Sequence, residues 1–233
     1  MMLTNLRSIH RLAACAALLF VLAPRAHAQR SPATRLSGRV PPAVQAELIA
    51  VIDSAVASGL PADALVQKAL EGATKRAEPR RILFAVRTLA GELSVAKQAI
   101  GTDASDADLV AAASALHAGI SPDILRRLRR DRPKQPLTIA LGLVNELIAR
   151  GVSASQAMGT VLALIERGVR DEALVAFGRE VERDIGSGAP PSIATEIRGD
   201  AFARNAAPGR VEVASAAGTA TAPAPVPRAP RKP

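Results

Sequence analysis

The chain has 233 residues, of which 48% are hydrophobic, 2% aromatic and 22% charged, and its formal net charge is +9. This length suits one domain or two small ones. With one Cys, three His and neither Trp nor Tyr, the chain has few residues for thiol chemistry, His-rich metal sites or aromatic stacking. Ala, Leu, Val and Arg dominate over strand-forming aromatic or Thr-rich runs, and this predicts an all-helical fold.

Residues 1–28 have the pattern of a secretory signal peptide. Two arginines and a histidine precede an apolar run over 12–22, and Ala26 and Ala28 frame an A-x-A cleavage site. We expect cleavage after Ala28 and export to the periplasm or the medium. A lipoprotein box at Cys15 is an alternative, but there the apolar run should precede the Cys and here it follows. An uncleaved anchor is the other alternative, although the run has about 11 residues and a span needs about 20.

Cleavage at this site would leave 205 residues with His117 as the one His and no Cys. Such a chain holds neither a disulfide nor a thiolate nucleophile, so its stability must come from packing. We expect no cofactor and no metal. A lone His leaves only carboxylates as ligands, and the aspartates at 103, 106 and 108 lack the Gly and terminal Glu of an EF-hand loop.

The remaining chain divides into a polar leader over 29–40, a helical domain over 41–203 and a tail over 204–233. In the domain, apolar residues recur every three or four positions. They predict helices at about 42–58, 61–75, 78–100, 105–119, 122–130, 136–150, 153–167, 170–185 and 192–202. The tail is rich in Ala and Pro and basic, which predicts disorder with some polyproline character.

Four similar turns separate these helices, at Gly59, Gly119, Gly151 and Gly168. At each, an apolar residue follows the Gly, and Ser, Asp or Pro then opens the next helix. We expect each Gly to adopt the left-handed conformation just past a helix, with the apolar residue packed back on the last turn.

The stretch from Gly59 aligns without a gap on that from Gly151 for about 30 residues, which predicts a duplicated three-helix unit. The first unit is 42–100, the second is 136–185, and the helix pair at 105–130 is a truncated unit between them. A regular solenoid should hold a fixed period, whereas the spacing here is irregular. We therefore expect an array of antiparallel helix hairpins with a degenerate internal repeat and some superhelical stacking, with a regular solenoid as the alternative.

A short pattern in the first unit consists of Gly59-Leu60-Pro61, Leu65, Lys68, Glu71-Gly72 and Lys75. It resembles a pattern found in exported, all-helical bacterial proteins of no assigned activity, and the resemblance implies no activity. The stretch from Gly151 has Thr160, Ala163 and Leu164 where this one has Lys68, Glu71 and Gly72, so a site role for these residues would belong to the first unit. Otherwise Lys68 and Glu71 form a solvated i, i+3 pair.

A basic cluster lies within nine residues that contain one acid, Asp131. Its members are Arg126, Arg127, Arg129, Arg130, Arg132 and Lys134. On a short helix we expect them to form a projecting positive knob that binds lipid phosphates, anionic envelope polymers or an acidic protein. The alternative is a solvated helix end. Nucleic acid is not expected as a partner of an exported protein that lacks aromatic residues for stacking.

These features predict an exported, non-catalytic helical scaffold or protein-binding module of the bacterial envelope, whose partner is an envelope protein that the sequence does not identify. The first alternative is an accessory protein that binds anionic lipids or polymers through the basic cluster and the tail. The second is a cell-wall-acting hydrolase, for which the candidate acids are Glu71, Glu92, Glu146 and Glu166. The sequence gives no oligomeric state.

Overall fold

The computed structural model describes residues 31–206, and within that range the chain consists of α-helices with no β-strand. The all-helical prediction is therefore confirmed. The helices are α1 (Pro32–Leu36), α2 (Pro42–Ala57), α3 (Ala62–Thr74), α4 (Pro79–Ile100), α5 (Asp106–His117), α6 (Pro122–Asp131), α7 (Thr138–Ala149), α8 (Ala154–Glu166), α9 (Asp171–Gly186) and α10 (Pro191–Asn205). The predicted signal peptide, with Ala26 and Ala28, and the tail beyond residue 206 lie outside the described residues.

The helices begin where short polar residues and prolines place them. Ser105, Ser121 and Ser153 each accept a hydrogen bond from a backbone N–H in the first turn of α5, α6 and α8. Each bond satisfies one of the N–H groups that a helix leaves without an internal partner. Five helices, α1, α2, α4, α6 and α10, have Pro in the first turn, where its missing N–H costs no helical bond.

One boundary differs from the sequence prediction. The polar leader was placed at 29–40, outside the helical domain, whereas α1 lies within it and packs against α2 and α3. Leu36 is fully buried and Val40 is 5% exposed, and Arg35 pairs with Asp63 of α3. The packed region therefore begins before residue 41, because two apolar side chains in a polar stretch suffice to dock a helix of one turn.

Each helix packs mainly against helices that lie one or two positions away in the chain. Helices α2, α3 and α4 contact one another, α4 also contacts α5 and α6, α5 contacts α7, and α7 contacts α8 and α9. Helix α10 closes this end of the fold by packing on both α8 and α9. The core is one continuous cluster of mostly Ala, Leu, Val and Ile side chains, so burial of small apolar residues is the main source of stability.

The helix bounds recur at a separation of 92 residues. Helix α2 ends at Ala57 and α7 at Ala149, α3 spans 62–74 and α8 spans 154–166, and α4 begins at Pro79 and α9 at Asp171. The packing differs, since α3 lies directly against α4 whereas α8 and α9 both pack against α10.

Gly72 permits the close approach of α3 to α4. A Cβ at this position would lie 2.9 Å from Ile82 Cγ1.

Candidate functional site

The four predicted turn glycines lie at helix ends and have a structural role there. Gly59, Gly119, Gly151 and Gly168 have φ values of 67°, 95°, 97° and 81°. At each, the N–H of the next residue donates to the carbonyl five residues earlier, as Leu60 N does to Ala55 O at 3.0 Å. This is the Schellman arrangement that closes a helix.

Arg76 forms the same turn, which the sequence analysis did not single out. Its φ is 52°, and Ala77 N donates to Gly72 O at 3.0 Å. Arg76 lies 92 residues before Gly168. The ungapped alignment of the two stretches places Arg76 on Gly168. An Arg, unlike a Gly, gives no indication in the sequence of a left-handed conformation.

The basic cluster does not project as one positive knob, and this prediction is corrected. The side chains of Arg129 and Arg132 are only 19% and 6% exposed. Arg132 Nη2 lies 2.5 Å from Asp171 Oδ1 of α9. Arg129 Nη1 donates to the carbonyl of Gln135 at 3.1 Å. These two arginines hold the end of α6 and the following loop against the rest of the fold.

The other members of the cluster lie at the surface with different partners. Arg126 pairs with Asp123, and Arg127 pairs with Glu166 of α8. Arg130 and Lys134 are exposed and have no ion pair among residues 31–206. The free positive surface is therefore smaller than predicted, because acids from distant parts of the chain neutralise cations that appear uncompensated in the local sequence.

Asp108 is a buried carboxylate with a role that the sequence analysis did not assign. It is 4% exposed, and its Oδ1 accepts from Leu137 N at 2.8 Å and from Thr138 Oγ1 at 2.6 Å. Burial raises the pKa of Asp108, but hydrogen bonds from Thr138 and Leu137 lower it more, so the pKa lies below its ordinary value. Asp108 therefore caps α7 from the first turn of α5.

An apolar groove lies over α4, between α3 and α5, and we call it the α4 groove. Its volume is about 730 Å³. Ala85 and Leu89 of α4 and Val110 of α5 form its apolar surface. Phe84 stands beside them with 72% of its surface exposed. A hydrophobic groove with an exposed aromatic ring is typical of a binding surface.

Charged residues form the two edges of the α4 groove. On α3, Glu71 lies 3.3 Å from Lys68 Nζ and 2.5 Å from Lys75 Nζ. Hydrogen bonds from Lys75 and Lys68 lower the pKa of Glu71. On the opposite edge, Glu92 Oε1 lies 2.8 Å from His117 Nδ1 of α5. The solvated pair predicted for Lys68 and Glu71 is present, and it also lines the groove.

The polar side chains that could take part in hydrolysis have partners within residues 31–206. Ser114 lines the α4 groove beside His117, but its hydroxyl donates to Val110 O at 3.0 Å and the His117 ring faces Glu92. Every candidate acid for glycoside cleavage has a basic side chain as its partner. Glu71 pairs with lysines, Glu92 with His117, Glu146 with Arg150 and Glu166 with Arg127. Over residues 31–206, no group of three His, Cys, Asp or Glu side chains could hold a metal ion.

Comparison with known proteins assigns the chain to no family. No protein-family model matches it, and neither a curated protein nor a solved structure shows significant similarity. Of the helices at 31–206, none combines the length and the apolar character that crossing a membrane requires.

Proposed function

We propose that this protein is an exported, non-catalytic binding module of the bacterial envelope that holds a partner protein in the α4 groove. The observation that carries the proposal is the exposure of Phe84. Fully burying a Phe side chain is worth about 1.5–3 kcal/mol, yet 72% of this one remains in water. By contrast, Phe177 and Phe202 pack edge to face, with ring centroids 5.7 Å apart. Exposed aromatic residues in a groove are common anchors of protein interfaces.

We infer further that α2–α4 and α7–α9 are copies of one three-helix unit. The inference is supported by helix bounds that recur at 92 residues. The left-handed turns at Arg76 and Gly168, which have the same separation, support it further. The hairpin array with superhelical stacking stays a prediction. In this description the α4 groove belongs to the first unit together with α5.

The alternative of anion binding through the basic cluster has less support. Of its six cations, Arg126, Arg127, Arg129 and Arg132 are engaged with acidic or backbone partners. This leaves Arg130 and Lys134, and two surface cations make a small contribution to binding a polyanion. Export rests on the N-terminal pattern, and N-terminal sequencing of the mature protein should begin at Gln29.

The proposal is tested by photo-cross-linking in the native host. A benzophenone amino acid replaces Thr88 in the α4 groove or, as the matched control, Ile197 on α10, which is 59% exposed. We expect the Thr88 probe to give one adduct of constant mass. Phe84→Asp should remove that adduct, because it places a charge on the apolar surface.

Two results would contradict the proposed function. The first is an identical set of adducts from the Thr88 and Ile197 probes, which indicates non-specific cross-linking. The second is an adduct from Thr88 that persists in Phe84→Asp while circular dichroism shows an unchanged fold.

A further inference from the structure

We propose that the α4 groove receives an amphipathic α-helix of the partner protein, and that this helix has the same pattern of contact residues as the chain's own α10. The inference rests on the proposed function, because it specifies what occupies the proposed site. Its basis is the second unit, where α10 covers the surface that corresponds to the α4 groove.

The correspondence begins on α3 and α8. Lys68 lines the α4 groove, and 92 residues later Thr160 faces α10. A Cβ at Gly199 of α10 would lie 2.9 Å from Thr160 Cγ2, so the two helices touch at this point. One turn earlier, Gln156 Nε2 donates to Ser192 O at 2.8 Å. The α8 face equivalent to the α3 edge is thus a helix-binding face.

The correspondence continues on α4 and α9. Asp184 lies 92 residues after Glu92, and its two carboxylate oxygens accept from Arg198 of α10 at 2.6 and 2.7 Å. Phe177 lies 92 residues after Ala85 and packs its ring against Phe202 of α10. α10 therefore uses a small residue, an arginine and an aromatic ring to contact α8 and α9. The residues that it contacts correspond to residues that line the α4 groove in the first unit.

The first unit has a helix in the corresponding place along the chain, but that helix lies elsewhere. α5 follows α4 as α10 follows α9, and it packs against α4 and α7 rather than against α3. α4 has 22 residues and α9 has 16, so α5 begins beyond the position that would let it cover α3. In the first unit α3 packs directly on α4, and the residues that correspond to the contacts of α10 line an open groove instead.

The groove specifies the chemistry of the bound helix. From Phe84 to Glu92 it runs about 12 Å at 1.5 Å per residue, and α10 makes its contacts from Ser192 to Phe202, so a helix of about three turns suffices. It needs an apolar side chain for Phe84 and a small residue where it crosses Lys68. It also needs an Arg for Glu92, since an arginine makes a bidentate bond to a carboxylate.

The occupant is a partner's helix rather than α10 of a second copy. In each copy α10 is already packed on α8 and α9, and Arg198 is bonded to Asp184. Exchange between copies would break those contacts in order to form similar ones.

The test uses a fluorescent peptide of residues 190–206 as the probe and fluorescence anisotropy with the full-length protein. We expect saturable binding. Glu92→Lys should weaken it by at least about tenfold, the usual effect of losing a charge-assisted bond. A peptide carrying Arg198→Glu should restore binding to Glu92→Lys. The matched control is Asp184→Lys, which alters the corresponding carboxylate of the second unit and should leave the α4 groove intact.

Three results would overturn the inference. The first is an absence of saturable binding at millimolar peptide. The second is that Asp184→Lys loses peptide binding while Glu92→Lys keeps it, which means that the peptide exchanges with α10. The third is a dimer of the wild-type protein in sedimentation that Glu92→Lys dissociates, which means that a second copy fills the groove. The adduct at Thr88 is measured separately, so the proposed function can stand where the helix inference fails.

Discussion

Arg76→Gly should raise the free energy of unfolding, although it removes a long side chain. Arg76 holds a φ of 52° in the turn between α3 and α4, and a left-handed conformation costs a residue with a Cβ about 1–2 kcal/mol. Gly removes this cost but loses more backbone entropy on folding, about 0.5–1 kcal/mol. The difference predicts a net gain of about 0.5–1 kcal/mol. Arg76 is exposed and has no ion pair within residues 31–206, so its loss removes no strong contact.

The assay is urea unfolding followed by circular dichroism, in which the midpoint should rise while the slope stays constant. Gly168→Arg is the matched control at the corresponding turn. Its φ is 81° and no atom lies within 4 Å of the position of a Cβ, so it should lose about 1 kcal/mol through backbone conformation alone. A lower midpoint for Arg76→Gly, or an unchanged one for Gly168→Arg, would refute the assignment of these turns.

Three further predictions concern stability and use the same assay. Asp108→Ala should cost about 2–4 kcal/mol, because it removes the cap of α7 and the carboxylate that lies 3.8 Å from Nη2 of Arg129. Folding lowers the pKa of Asp108. Its contribution to the free energy of unfolding is therefore present above about pH 4 and is lost as the pH falls through the pKa of the folded state. A urea midpoint that stays constant from pH 6 to pH 3 would contradict this. Gly72→Ala should cost about 1–3 kcal/mol through the clash with Ile82, whereas Gly91→Ala, in open space on α4, should gain about 0.5–1 kcal/mol; equal effects would contradict the close approach of α3 and α4. Arg132→Gln should cost about 2–3 kcal/mol by leaving Asp171 without its partner, and Lys134→Gln should change the midpoint little; equal losses would mean that the buried pair is unimportant.

Most helix bounds could be predicted from the sequence because their causes are local. A Ser cap such as Ser153, a Pro in the first turn and a Gly beyond the last are all read within a few residues. Helix α1 was missed because a single turn is too short for apolar periodicity to appear.

The ion pairs that the arginines of the basic cluster form could not be predicted, because their acidic partners are distant in sequence. Arg127 meets Glu166 and Arg132 meets Asp171, each 39 residues away. Asp108 caps a helix that begins 30 residues later. A count of local charges therefore overestimates the exposed positive surface wherever tertiary contacts bring acids to it.

The α4 groove was only partly visible in the sequence. The resemblance and the comparison of the two stretches singled out Lys68, Glu71 and Gly72 as features of the first unit alone. The helical spacing places Phe84 at a core position, so its 72% exposure was not predicted. The position of α5 was missed as well, because an open groove results from a contact that is not made. No local pattern encodes that α5 packs mainly against α4 and α7 and leaves α3 largely uncovered.

The charged residues of the α3 edge distinguish the α4 groove from the α8 face that α10 covers. Where the second unit has Thr160 and Ala163 against α10, the first has Lys68 and Glu71. A helix covering these two would have to take their charges out of water, which is unfavourable without compensating partners. Lys68→Thr combined with Glu71→Ala should therefore leave the urea midpoint unchanged, since exposed pairs contribute little.

The same double variant should bind the peptide of residues 190–206 more tightly, because its α3 edge then matches that of α8. If adding Glu92→Lys to the double variant weakens this tighter binding, the α3 edge and Glu92 belong to one peptide-binding surface. Unchanged or weaker binding in the double variant would mean that the charged edge is part of the recognition and does not exclude a helix. In that case the partner's helix must carry charges complementary to Lys68 and Glu71, and α10 would be a guide only to the contacts with α4.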